Sequence, residues 1–126
     1  MIAEGKRNER RGNKRFHASM GAFAVLGPHA NKVGRVVDIS LGGLAFRHVD
    51  RKAPLSGLNQ LDVFMVDGDF HVNNIPFQTV SDYEVVKGGP LTSLTTRQSG
   101  LRFGRLTPTQ RTLLEYFIKN HTLGES

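Results

Sequence analysis

Short apolar runs cut by glycine constrain this chain more than any other feature. "GRVVDIS" (34–40) and "GLAFRHV" (43–49) flank the pair Gly42-Gly43, and "ASMGAFAVL" (18–26) stops at Gly27-Pro28. "LDVFMV" (61–66) turns through Asp67-Gly68-Asp69 into "FHVNNIPFQTVSDYEVV", and "SGLRFGRL" (99–106) follows a polar loop. Each run has the length of a strand, and the punctuation between them is turn chemistry. Fourteen glycines, several of them in such turns, point to a small all-β body closed into a barrel. Pro76 lacks the ladder donor, so its run should lie at an edge, a bulge or a break.

One helix is expected, at the end. Thr107 is a candidate N-cap, Pro108 suits the first helical position, and Gln110 stands three residues after the cap. Leu113, Leu114, Phe117 and Ile118 then share one face, which should seal against the sheet.

The chain has 126 residues, enough for one domain with its own core, and no cysteine. Disulfides, thiolate metal sites and thiol nucleophiles are therefore excluded, which fits a reducing compartment. The charged N-terminus lacks a secretory apolar stretch, and no run approaches the ~18 apolar residues of a membrane span. A soluble, cytoplasmic protein without membrane insertion is expected. The net charge of +6 is uneven: residues 1–15 carry +4 and the remainder only +2. A basic arm on a nearly neutral body attracts anions without choosing among them.

The stretch "VVDISLGGLAF" (36–46) places an acid, a hydroxyl and two glycines inside strand-like sequence. Strand alternation puts Val37 and Ile39 on one side and Asp38 and Ser40 on the other. With the valine and isoleucine in the core, the carboxylate and hydroxyl stand on the outer wall. Gly43 would let backbone turn or approach a bound group. The same residues also suit an ordinary hairpin turn. In the arm, Arg11 and Arg15 offer planar forks suited to phosphate oxygens and to the O6/N7 edge of guanine. A carboxylate complements guanine's remaining donors. Arg7 and Arg11 share the same spacing, so the arginine pair by itself is also compatible with a solvated charge run.

"RGNKR" followed, with 22 residues between Arg15 and Asp38, by "DISLGG" resembles the paired RxxxR and [DN]xSxxG motifs of the PilZ domain. The likeness extends over about residues 8–120 and includes the "SGLRFGRLTPTQRTLLEYF" ending. The resemblance implies a six-stranded antiparallel β-barrel with a C-terminal helix, and a ligand, cyclic di-GMP. It implies that Arg11 and Arg15, with Arg10 beside them, clamp guanines and phosphates. Asp38 and Ser40 would bond a guanine edge, with Gly43 at the turn and Asp38 also positioning an arginine. The implied organisation is a flexible basic arm (1–16), a barrel (17–120) with its closing helix at 107–120, and a tail (121–126). Arg35, Arg47 and Arg102 remain open as ligand contacts.

The five histidines show no metal spacing, and no nucleophile elbow or phosphate loop occurs, so a binding protein without metal or cofactor is expected, not an enzyme. Its partner would be a downstream protein, of motility, pilus or exopolysaccharide machinery. The rival is a basic small barrel binding nucleic acid, which calls for aromatics on an exposed sheet face. Phe16, Phe23, Phe46, Phe64, Phe103 and Phe117 are instead expected mostly in the core, so no nucleic acid is expected.

Overall fold

The structure, a computed structural model, describes residues 13–27, 32–49, 60–68, 70–86 and 95–126. Among these residues nine strands and one helix follow in order: β1 (Phe16–Ala18), β2 (Ala22–Gly27), β3 (Lys32–Ile39), β4 (Gly43–Val49), β5 (Gln60–Met65), β6 (His71–Ile75), β7 (Phe77–Val86), β8 (Thr96–Phe103), α1 (Pro108–Asn120) and β9 (Thr122–Glu125). The hydrogen-bonded path runs β6-β5-β2-β3-β4-β8-β7, and β1 joins it by pairing β3 while β9 pairs β1. Every pairing is antiparallel.

The expected closed barrel of six strands is corrected by this topology. Among the described residues the sheet is open in its ladder, because its two end strands, β6 and β7, do not pair and are separated in sequence by Pro76. Proline has no amide to donate and breaks the run, as the sequence suggested. Before it the chain pairs β5; after it, Phe77 stands opposite Phe103 of β8. The Pro76 carbonyl still accepts from the Gly104 amide at 2.7 Å, which fixes the bend.

Alternation explains the core. Along β2, Ala22, Ala24 and Leu26 are buried while Phe23 and Val25 are half-exposed. Phe46, Leu61, Ile75 and Leu101 from other strands, with Leu114 and Phe117 of α1, are fully buried in the same core. The helix is capped as read from sequence. Thr107 Oγ1 accepts from the Gln110 amide at 3.0 Å, and Gln110 Oε1 accepts from the Thr107 amide at 2.9 Å. Gln110 Nε2 also donates to the carbonyls of Asn73 and Asn74, which fastens the helix start to β6.

The segment 121–126, expected as a tail, contains β9. It lies against β1, with Phe16 opposite Glu125 and His17 opposite Gly124. Gly68 adopts a φ of 85° in the turn after β5, its amide bonding the Met65 carbonyl at 2.9 Å.

Candidate functional site

Strand β3 carries an extra residue. Its register with β4 shifts between Val36 and Asp38, so Val37 is a bulge. Before the bulge the even-numbered residues face inward, Val36 among them; after it Ile39 does. Val37 is only half-buried, which corrects its expected place in the core. The same shift leaves Arg35, two positions before Val37, exposed. Asp38 remains outside because its position is set by Ile39.

Asp38 lies between His17 of β1 and Ala45 of β4. Arg15 immediately precedes β1, and its Nη1 donates to Asp38 Oδ1 at 2.7 Å across 23 residues of chain. The side chains are 34% and 21% exposed, so the pair is partly shielded yet open on one side. The structure therefore unites two of the expected site residues. Arg10 and Arg11 lie outside the described residues.

Ser40 does not share the outer wall with Asp38. It is buried, and its Oγ accepts from the Gly42 amide at 3.0 Å. The Ser40 amide donates to the Gly43 carbonyl at 2.8 Å. This is the local side-chain-to-backbone bonding that serine favours in turns. Gly43 is needed by the sheet itself. A Cβ there would fall 2.1 Å from the Leu101 carbonyl oxygen of β8, a distance no side chain tolerates. At Gly42 the nearest neighbour of an added Cβ is Asn13 Nδ2, at 3.0 Å.

Above this loop lies an open cavity of about 380 Å³, lined by Asn13, Arg15, Gly42, Val80, Leu101, Arg102 and Phe103. Arg102 stands opposite Gly43 on β4 and Gln78 on β7. Its Nη2 donates to Gln78 Oε1 at 2.9 Å. The cavity thus has two arginines in its lining, and one of them already touches a carboxylate. Such a lining attracts an anion. Sequence alone left Arg102 level with Arg35 and Arg47; only the cross-strand register places it at the cavity, whose lining includes neither of the others. Asn13 and Gln78 had no sequence signal. Among the described residues, no group of three or more His, Cys, Asp or Glu side chains could hold a metal ion.

Of the phenylalanines expected in the core, Phe46, Phe103 and Phe117 are buried. Phe16, Phe23 and Phe64 are half-buried, and Phe23 and Phe64 stack on each other at 6.0 Å between ring centres.

No curated protein matches the chain. Among solved structures, the PilZ domain with c-di-GMP of YcgR from Escherichia coli is similar, with a TM-score of 0.59 and 23% identity over 89% of this chain and 91% of that one. That likeness shows the fold. The family model for the PilZ domain matches residues 6–120. With nearly its whole length matched, the chain belongs to the PilZ domain family.

Proposed function

We propose that this chain is a receptor for cyclic di-GMP, binding the dinucleotide without transforming it. The Arg15–Asp38 contact at 2.7 Å, whose arginine lines a cavity together with Arg102, carries this reading. Guanine offers a ring N–H and an amino group to a carboxylate, and O6 and N7 to an arginine. The two ester phosphates give the arginines an anionic target. One ligand thus answers both charges of the pair. The YcgR domain to which the chain is similar was solved with this dinucleotide.

In this proposal Arg10, Arg11 and Arg15 grip phosphates and guanines, and Asp38 receives a guanine edge while holding Arg15. Ser40 acts by shaping the loop beneath the ligand, and Gly43 by letting β4 and β8 approach. Arg102, steadied by Gln78, adds a second cationic contact from the cavity lining. The basic arm, which carries like charges and little apolar surface, changes its order on binding and presents a new surface to a downstream protein in the cytoplasm.

Fluorescence competition tests the assignment. Unlabelled cyclic di-GMP should displace a labelled analogue, whereas GMP and cyclic AMP should not. Equal displacement by all three would overturn it. Amide exchange in residues 5–16 should slow on adding the dinucleotide; unchanged exchange would remove the arm from the mechanism.

A further inference from the structure

The C-terminal strand is bonded to the root of the binding arginine. The Arg15 carbonyl accepts from the Ser126 amide at 2.9 Å. Phe16 and His17 face Glu125 and Gly124, and Ala18 faces Thr122. Lys14 and Glu125 approach to 3.7 Å in an exposed contact of small energetic weight. On its other side β1 meets β3, where His17 stands opposite Asp38. The backbone carrying Arg15 therefore lies between the strand that supplies its carboxylate partner and β9.

Two features make β9 a separable support. It is short, pairs β1 alone among the described strands, and from Leu123 onward its residues are exposed, Leu123 to 72%. Little apolar surface holds it, so it belongs to the low-stability end of the fold. None of its residues lines the cavity. Its influence on a ligand must then pass through Arg15.

We infer that β9 is a positioning strand for the ligand site: docked on β1, it holds the Arg15 backbone where its guanidinium meets Asp38, and undocked it releases that arginine. The inference rests on the receptor assignment above and adds a coupled element to it. Coupling of this kind is reciprocal, so a ligand that fixes Arg15 also strengthens β9 docking.

Two variants test this. One removes residues 122–126. The other, Gly124→Pro, keeps the length but replaces a residue whose φ of 144° proline cannot adopt. If undocking leaves Arg15 in place only a fifth of the time, the apparent Kd for cyclic di-GMP rises about fivefold. Both variants should show that rise with the cooperative melt of the main sheet preserved. In the wild type, ligand should slow amide exchange in residues 122–126. A Kd within about twofold of wild type in both variants, or exchange in β9 indifferent to ligand, would overturn the positioning role.

A ligand-free measurement separates this from the receptor assignment. Without ligand, truncation should accelerate exchange of the Arg15 Nε–H and of the amides of residues 16–18. A wild-type protein that ignores cyclic di-GMP, while truncation still loosens Arg15, would refute the receptor assignment and leave the support intact. Wild-type binding with Arg15 unaffected by truncation would refute the support alone.

Discussion

Arg15 and Asp38 meet at 2.7 Å although 23 positions separate them, one ahead of the first strand and the other just past a bulge in the third. The pair is partly exposed, so it contributes at most about 1 kcal/mol to folding. Its larger role is to hold a guanidinium fork and a carboxylate at one place. Replacing Arg15 with alanine should cost about 1.5–3 kcal/mol of cyclic di-GMP binding, as expected for lost charge-assisted hydrogen bonds, with the melting temperature nearly unchanged. Asp38→Ala should weaken binding less than additively with Arg15→Ala, since both remove the same contact. Equilibrium titration of the two single variants and the double variant checks this.

Gly43 answers to the sheet. An added Cβ meets the Leu101 carbonyl oxygen at 2.1 Å, so Gly43→Ala must push β4 away from β8. Overpacking of this kind costs about 1–3 kcal/mol, and urea denaturation should register it in the free protein, without ligand. Gly42→Ala, whose tightest contact is the end of the Asn13 side chain at 3.0 Å, should be milder.

Arg102 and Arg47 provide an internal comparison, because each donates to a glutamine across the strands, at 2.9 and 2.8 Å. Only Arg102 is part of the cavity lining. Arg102→Ala should weaken cyclic di-GMP binding by about 1.5–3 kcal/mol. Arg47→Ala should stay within about 0.5 kcal/mol of wild type, as expected of a surface change remote from the ligand. Parallel titrations of both variants decide it.

The helix should behave in the opposite manner to the site. Leu114 and Phe117 are fully buried, so truncating either to alanine should destabilise the fold by about 2–5 kcal/mol. Thr107→Ala removes the N-cap acceptor and should cost about 1 kcal/mol. Thermal denaturation measures all three.

Local chemistry was legible in the sequence where it is self-contained. The Thr107/Gln110 capping box, the helix face of Leu114 and Phe117 and the break at Pro76 all follow from nearest neighbours, and the structure has them. Alternation placed Asp38 outside because Ile39 anchors it, but it misassigned Val37. A bulge adds one residue and reverses parity upstream, and the adjacent valines 36 and 37 were its only trace. Ser40 shows the turn chemistry that competed with the binding-wall reading, its hydroxyl bonded within its own loop. Arg102 and β9 depend on which strands become neighbours. The β9 ladder is made of main-chain bonds to β1, and residues 122–125, Thr-Leu-Gly-Glu, give little pattern to reveal it.

Isothermal titration of the purified protein with cyclic di-GMP, run beside Arg15→Ala, tests the receptor assignment most directly. Saturable binding by the wild type, weakened about tenfold or more in the variant, is the predicted result. A wild-type protein that shows no binding at about millimolar ligand, or a variant that binds as tightly as wild type, would contradict it.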